Sequence, residues 1–190
     1  MRILLYGATG TIADSVFRIV KNYPKKLKVV AATCNKNYKK LEKHRIKYGI
    51  EKLGINDLNA ATKYKSLNSK TNSKNLLIGN DNFSELITRD IDVIILAVSG
   101  LSALNISYDI AKSGKIVGLA NKECIISLGP RLLALAKRYK TKIIPLDSEH
   151  NSIYRLIESN NYKFKSITIT ASGGPFFNKK NSFLRKVTPN

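Results

Sequence analysis

Short apolar runs alternate with helical patterns from the first residues of the chain. The runs Arg2–Tyr6 and Leu27–Thr33 predict two strands, and helically spaced apolar residues predict a helix over residues 12–20 between them. The strongest strand pattern is Asp92–Val98, which is continuously apolar after its first residue, as in a strand buried on both faces. Strands that alternate with helices predict an α/β fold, a mainly parallel sheet with helices on both faces.

The same alternation continues along the rest of the chain. Further strands are expected at Ile116–Leu119, Lys142–Leu146 and Ser166–Ala171, and helices at Tyr38–Tyr48, Leu101–Ser113, Pro130–Tyr139 and Ser152–Glu158. Proline suits the first position of a helix, so Pro130 is expected to begin its helix. The pattern changes near Leu146–Ser148, which predicts one domain over residues 1–146 and the start of another over residues 147–190.

Composition narrows the class of protein. The chain has 190 residues, 43% of them hydrophobic, which is enough for one well-buried domain. No run approaches the roughly 18–20 uncharged apolar residues that a membrane span needs, and we expect no membrane association. Two cysteines, Cys34 and Cys124, cannot build a disulfide framework, so a reduced, cytoplasmic setting is expected.

The chain is strongly basic, with a formal net charge of +20. Such a charge suggests a polyanionic partner such as nucleic acid. However, the excess comes from 25 lysines against 8 arginines, whereas base readout favours arginine, and no nucleic-acid-binding motif is present. We therefore interpret the lysines as solvated surface and expect no nucleic-acid partner.

A glycine-containing loop, Gly7–Ala13, lies between the first strand and the first helix. Gly7 would make the tight turn, Gly10 would let the backbone approach a pyrophosphate, and Ala13 would allow close helix–strand packing. The spacing is G-x-x-G-x-x-A rather than G-x-G-x-x-G. The loop predicts a Rossmann-like dinucleotide site, and a plain strand-to-helix turn is the alternative.

The end of the second strand bears on the choice of cofactor. NAD-binding folds usually carry an acidic residue there for the ribose 2′-hydroxyl, but Thr33–Asn37 contains none. Lys36, flanked by two asparagines, suits a 2′-phosphate, which favours NADPH over NADH. The alternative is that Lys36 is one more surface lysine.

Polar clusters follow three of the predicted strands, at Ala120–Glu123, Asp147–His150 and Ser172–Pro175. Parallel sheets bind ligands at this edge. Asp147 and Glu149 could both bind a hard cation such as Mg²⁺ or Mn²⁺, and helix capping is the alternative.

The other two clusters suit anions. Lys122 could neutralise a bound anion or could be an ordinary solvated lysine. Ser172, with the amides of Gly173 and Gly174, would suit a phosphate or hydroxyl, and a plain turn is the alternative.

Together these segments resemble a known family. The matching pieces are GATGTIA (Gly7–Ala13), NKN (Asn35–Asn37), LANKE (Leu119–Glu123), PLDSEHNSIY (Pro145–Tyr154) and TASGGPF (Thr170–Phe176). In this order they are similar to 1-deoxy-D-xylulose 5-phosphate reductoisomerase. The resemblance implies an NADPH- and Mg²⁺- or Mn²⁺-dependent enzyme that rearranges 1-deoxy-D-xylulose 5-phosphate and reduces the product to 2-C-methyl-D-erythritol 4-phosphate.

The resemblance also implies residue roles. The cofactor residues would be Thr9, Gly10, Thr11, Ile12, Asn35, Lys36, Asn37, Asn121 and Glu123. Asp147 and Glu149 would bind the metal. The substrate residues would be Lys122, Glu123, Ser148, Glu149 and Ser172, with Lys122 and Glu149 catalytic.

The family chain is longer, and it supplies a flap, further phosphate and metal ligands and a helical domain after the segment that matches here. The resemblance therefore implies that residues 147–190 begin an α+β catalytic domain, and that the full-length protein is a homodimer. One alternative is an NADP-binding module without turnover. Another is a different NADP-dependent oxidoreductase, such as a semialdehyde or homoserine dehydrogenase.

Overall fold

The computed structural model describes residues 1–68, 75–159, 165–169 and 173–188. Seven strands in these residues form one parallel sheet in the order β4-β3-β2-β1-β5-β6-β7. The strands are β1 Arg2–Tyr6, β2 Lys28–Cys34, β3 Lys52–Ile55, β4 Leu76–Ile78, β5 Val93–Leu96, β6 Ile116–Leu119 and β7 Lys142–Pro145. Strands β2 to β4 follow one another on one side of β1 and strands β5 to β7 on the other, so the strand order changes direction between β1 and β5. This arrangement confirms the predicted Rossmann-like sheet.

Helices connect the strands. They are α1 Thr11–Asn22, α2 Tyr38–Tyr48, α3 Leu58–Leu67, α4 Leu104–Ala111, α5 Lys122–Arg138, α6 Ser148–Ser159 and α7 Asn181–Leu184. Two 3₁₀ segments, Asn80–Leu86 and Leu101–Ala103, precede β5 and α4. No helix in the described residues is both long and apolar enough to cross a membrane.

A hydrophobic core lies on each face of the sheet. Leu4 and Tyr6 of β1 belong to one core, and Ile3 and Leu5 belong to the other. Successive side chains of a strand point to opposite faces, so β1 contributes to both cores at once. This explains why the strand reads as a continuous apolar run and confirms that helices cover both faces.

The helix predicted to begin at Pro130 begins eight residues earlier, at Lys122, so that prediction was wrong. Pro130 lies inside α5, where it can donate no hydrogen bond to the preceding turn. Buried residues lie on both sides of it, among them Cys124 and Leu132, and Asn121 caps the helix start. Packing and the cap thus outweigh the local cost of the proline.

The predicted strand Ser166–Ala171 is not formed where the structure describes it. Residues 166–169 are exposed and have no strand partner among the described residues, and residues 170 and 171 lie outside them. A period-2 pattern alone does not make a strand, because the backbone groups also need a neighbouring strand.

In the first half of the chain, the structure has three elements that the sequence pattern did not predict: β3, α3 and β4.

The chain divides into two compact units, Met1–Tyr154 and Arg155–Asn190. The first unit contains the sheet and helices α1 to α5. In the second unit, α7 is the one complete helix among the described residues. The predicted domain boundary after residue 146 stays a prediction.

Candidate functional site

The glycine loop follows β1 at the carboxyl edge of the sheet and is fastened to β2. The Gly7 amide donates to Thr33 Oγ1 at 3.2 Å, and the Ala8 amide donates to the Thr33 carbonyl at 2.7 Å. Thr33 is almost fully buried, so these bonds hold the loop against the sheet.

Gly7 is required at its position for two reasons. Its φ of +81° is a conformation that other residues rarely adopt. A Cβ at Gly7 would also lie 2.4 Å from the carbonyl oxygen of Ala97, directly after β5. The loop after β1 therefore lies against the backbone that follows β5, at the point where the strand order reverses.

Helix α1 starts without a side-chain cap. Gly10 is its N-cap residue and makes no side-chain hydrogen bond, whereas Asn37, Asp57 and Asn121 each accept a backbone amide at the start of α2, α3 and α5. The first turn of a helix carries unpaired amides and a partial positive charge. The start of α1 is therefore suited to an anionic group.

A cation from α2 reaches the same loop. Lys40 Nζ donates to the Thr9 carbonyl at 3.2 Å and lies 2.8 Å from an Asp14 carboxylate oxygen. The Asp14 carboxylate in the first turn of α1 would repel an anion, and Lys40 offsets that charge. Lys40 was not predicted, because the contact joins two helices that are 26 residues apart in sequence.

The three residues after β2 are exposed and have different contacts. Asn35 Oδ1 accepts from Asn56 at 3.2 Å, and Asn37 Oδ1 caps α2 by accepting from the Lys40 amide at 3.1 Å. Lys36 Nζ lies 3.8 Å from an Asp57 oxygen, and its side chain is 75% exposed. Lys36 therefore has room to approach a ligand at the end of β2.

A cleft of about 300 Å³ opens where β1, β2 and β5 end. Its lining comprises Gly7, Thr9, Gly10, Thr33, Cys34, Asn35, Asn56, Asn80, Phe83, Ala97, Val98, Ser99 and Ser102. Predicted residues Thr9, Gly10 and Asn35 line it. Asn56, Asn80 and Phe83 were missed, because they follow β3 and β4, which the sequence pattern did not reveal.

Burial keeps the thiol of Cys34 protonated within this cleft. The side chain is 3% exposed, and burial raises its pKa to about 12. A thiol with a raised pKa is a poor nucleophile. Cys34 therefore acts as a small packed residue that shapes the wall.

The segment after β6 brings Asn121, Lys122 and Glu123 to the start of α5. Asn121 is 2% exposed, and its Oδ1 accepts from the Cys124 amide at 2.7 Å. Lys122 is exposed and Glu123 is half-buried in the first turn. The backbone after β5 joins this segment to the cleft, since Asn121 also contacts Val98 and Gly100.

The segment after β7 places Asp147 at the start of α6. Asp147 Oδ1 accepts from the His150 amide at 3.0 Å and lies 3.0 Å from His150 Nδ1. Helix capping by Asp147 is therefore present. Ser148 and Glu149 are exposed in the first turn of α6, and Ser172 lies outside the described residues.

No group of three or more His, Cys, Asp or Glu side chains able to hold a metal occurs in the part of the chain that the structure describes. Asp147 and Glu149 remain a pair on one helix turn. Two carboxylates supply part of the oxygen shell that Mg²⁺ or Mn²⁺ takes, and water or other groups supply the rest.

Comparison with known proteins gives the family. A family model described as 1-deoxy-D-xylulose 5-phosphate reductoisomerase matches residues 3–129, and the model of that enzyme's C-terminal domain matches residues 143–190. The chain belongs to the 1-deoxy-D-xylulose 5-phosphate reductoisomerase family. This match decides against the semialdehyde and homoserine dehydrogenase alternatives.

Relatives in this family are similar over the whole chain. A reductoisomerase of Thermoanaerobacter sp. (strain X514) is 31% identical over 100% of this chain and 49% of its own length. That of Pelagibacter ubique (strain HTCC1062) is 35% identical over 98% of this chain and 49% of its own length. The chain therefore spans about half the length of the curated relatives it matches.

Solved reductoisomerase structures are also similar to this chain. A DOX-P reductoisomerase in complex with NADPH, fosmidomycin and magnesium has a TM-score of 0.76 and 28% identity, over 82% of this chain and 38% of that one. Another, with fosmidomycin and magnesium, has a TM-score of 0.84 and 26% identity, over 99% of this chain and 50% of that one. The reductoisomerase of Zymomonas mobilis in complex with NADPH has a TM-score of 0.75 and 27% identity, over 81% and 40%.

Proposed function

We propose that this chain binds NADPH and carries the first metal- and substrate-binding residues of an enzyme that converts 1-deoxy-D-xylulose 5-phosphate to 2-C-methyl-D-erythritol 4-phosphate. The observation that carries the proposal is the uncapped start of α1 beside the cleft at the end of β1. Family relatives solved with NADPH support the same cofactor.

The residues at the cleft fit a dinucleotide. A Cβ at Gly10 would meet no heavy atom closer than 3.7 Å, so the bare backbone leaves open space at the helix start. A pyrophosphate in that space would accept hydrogen bonds from the first amides of α1. Thr9, Thr11 and Ile12 belong to the same loop and first turn. Bound there, NADPH supplies the hydride for the reduction.

The 2′-phosphate is assigned to the end of β2. Lys36 and the amides of Asn35 and Asn37 are exposed there, and no carboxylate occupies the position that binds a ribose hydroxyl in NAD-specific folds. Asp57 lies 3.8 Å from the Lys36 ammonium, and the exposed lysine can turn from it toward a phosphate.

The metal is assigned to Asp147 and Glu149. Both contacts between Asp147 and His150 use Oδ1, which leaves the second carboxylate oxygen of Asp147 for a cation, and Glu149 is exposed in the first turn of α6. Hard divalent cations prefer such oxygen ligands. A cation held there would polarise the ketone and neighbouring hydroxyl of the substrate.

Four of the proposed substrate residues lie at the same edge of the sheet. Lys122 and Glu123 begin α5, and Ser148 begins α6, so they follow adjacent strands. The Lys122 ammonium would bind a developing oxyanion or the phosphate, and the Ser148 hydroxyl would hydrogen-bond the substrate. Glu149 would contact both substrate and metal, and Ser172 stays in the proposed set.

The location and assembly belong to the same proposal. Both cysteines are free and buried, which supports a reduced, cytoplasmic location. The resemblance to the family supports a homodimer of the full-length protein. Light scattering of that protein tests the dimer directly.

Titration of NADPH and NADH, followed by cofactor fluorescence, tests the cofactor site. Gly10→Ala should weaken NADPH binding about tenfold or more, because the methyl group occupies space that the pyrophosphate needs. The matched control is Gly129→Ala inside α5, where the new Cβ would lie 3.8 Å from the nearest atom. Equal NADPH affinity in Gly10→Ala and in the control would contradict the proposal.

A further inference from the structure

The Asn121 side chain uses its whole amide within the protein. Its Nδ2 donates to the carbonyls of Val98 at 2.7 Å and Gly100 at 2.9 Å, and its Oδ1 accepts from the Cys124 amide at 2.7 Å. The residue is 2% exposed. Both amide hydrogens are therefore committed, and neither is available to a ligand.

The two carbonyls belong to the loop that follows β5. This loop begins at Ala97, whose carbonyl oxygen would lie 2.4 Å from a Cβ placed on Gly7. Val98 and Ser99 also line the cleft. Asn121 thus joins the start of α5 to a loop that lies directly against the glycine loop.

The contacts of Asn121 go beyond helix capping. Asn37 is exposed and caps α2 with Oδ1, whereas Asn121 makes the equivalent bond to Cys124 and also donates to two carbonyls of another loop. A cap needs only an acceptor oxygen. The two additional donated bonds therefore have a different purpose.

We propose that Asn121 is a positioning residue: its amide fixes the loop after β5 against Gly7, and so shapes the cleft for the pyrophosphate and nicotinamide end of NADPH. The inference rests on the proposed cofactor site. It assigns the effect of Asn121 to the loop rather than to a hydrogen bond from its side chain to the cofactor.

The variant Asn121→Asp separates the two functions of the side chain. A carboxylate oxygen can still accept from the Cys124 amide, but it donates nothing to Val98 and Gly100 and faces their carbonyl oxygens instead. Asn121→Ser is a second variant, which removes the two donated bonds without adding a charge and serves if the first does not fold.

Thr141→Val is the matched control. Thr141 is 7% exposed, donates to the Ala111 carbonyl at 2.7 Å and accepts from the Gly114 amide at 2.9 Å. Thr141 is thus another buried side chain that hydrogen-bonds to a loop. It lies directly before β7, at the edge of the sheet opposite the cleft. It reports the cost of losing such bonds where no cofactor binds.

Three measurements on each protein test the proposal: the affinity for NADPH, the affinity for 2′,5′-ADP, and amide hydrogen exchange without ligand. In both Asn121 variants, NADPH should bind about tenfold more weakly, and 2′,5′-ADP, which carries only the adenosine end, should change by less than about threefold. Exchange should accelerate at residues 97–100. Thr141→Val should leave both affinities and the exchange of residues 97–100 unchanged.

Two results would overturn the proposal. If NADPH affinity stays at the parent value while residues 97–100 exchange faster, Asn121 has a structural role only. If NADPH affinity falls without faster exchange, its side chain contacts the cofactor directly. If the parent protein does not bind NADPH, the proposed cofactor site is wrong. Exchange then still tests the loop contact: equal exchange at residues 97–100 in the parent and in both Asn121 variants would contradict it.

Discussion

Helices α1 and α6 both begin where a strand of the parallel sheet ends, but their first turns are built in opposite ways. Gly10 offers α1 no capping side chain, whereas Asp147 caps α6 by accepting from the His150 amide. The first start leaves amides for an anion, and the second presents a carboxylate suited to a cation. The residue before each helix thus makes one start suited to an anion and the other to a cation.

Charges around the two starts reinforce this difference. Lys40 pairs with Asp14 at the start of α1 and offsets a carboxylate that would repel phosphates. At the start of α6, the acidic residues Asp147 and Glu149 are two positions apart, and His150 Nδ1 lies 3.0 Å from an Asp147 oxygen. In the proposed function these two regions bind different groups, so changes in one should leave the other intact.

The largest expected effect comes from Asp147→Asn. An asparagine keeps the acceptor that caps α6 but loses the negative charge that would hold the cation. In a form of the protein that turns over substrate, we expect Asp147→Asn to lower kcat about 10³-fold. The reason is that a cation bound at Asp147 would stabilise charge in the transition state. NADPH oxidation at 340 nm measures this.

Two comparisons control the Asp147→Asn experiment. NADPH affinity should stay within about twofold of the parent, because the glycine loop is a separate region. Ser152→Ala, which removes an exposed hydroxyl that donates to the Ser148 carbonyl, is the control on the same helix. Turnover in Asp147→Asn close to the parent's would mean that Asp147 serves only as a cap.

Gly7→Ala should have the next largest effect, on stability. The new methyl would meet the Ala97 carbonyl, and the φ of +81° adds backbone strain. We expect a loss of roughly 3–5 kcal/mol in the free energy of unfolding, measured in urea. Gly10→Ala, with no atom closer than 3.7 Å to its Cβ, should lose less than about 1 kcal/mol. Similar losses in both variants would contradict this account of the loop.

The glycine-loop region was predictable because its information is local. An apolar run, a glycine turn and a helical pattern follow one another within 20 residues, and β1 and α1 occur as expected. The start of α6 was less predictable: the helix begins at Ser148, four residues before the predicted Ser152, and capping by Asp147 was only one of two alternatives.

The parts that were missed depend on contacts that are distant in sequence. Strand β3 has four residues, and its Gly54 is needed because a Cβ there would lie 2.6 Å from the ring of Phe83. The start of α5 was hidden by Pro130, whose cost is offset by packing. Lys40 of α2 bonds to Thr9 in the glycine loop, 31 residues away in sequence. No pattern within a short window contains this information.

Lys36→Glu should have a smaller effect, confined to cofactor preference. A carboxylate at the end of β2 repels the 2′-phosphate and can accept from a 2′-hydroxyl. We expect NADPH to bind about tenfold more weakly and NADH to become the preferred cofactor. The control is Lys39→Glu, an equal charge change at an exposed position in the first turn of α2. If both variants shift affinity equally, the effect is a general one of surface charge.

The smallest effect concerns how α1 is held against α2, and it depends on pH. The His44 ring stacks on Phe17 at 4.1 Å between centroids, and its Nε2 is buried without a hydrogen-bond partner in the described residues. Burial lowers the pKa of His44, and the charges of Lys40 and Lys47 lower it further, although Asp14 opposes them. The unfolded chain therefore binds a proton more readily than the folded one.

Stability should accordingly fall as the pH drops through the ordinary histidine pKa of 6.5 toward the lowered value in the folded protein. His44→Phe keeps a ring against Phe17 and removes the proton site, so its melting temperature should fall less than the parent's between pH 7 and pH 5. His150→Phe at the start of α6 is the matched control, because that ring is exposed and away from α1. Parallel curves for the parent and His44→Phe would show that protonation of His44 does not weaken the contact between α1 and α2. A flatter curve for His44→Phe alone would assign this pH response to the contact between α1 and α2.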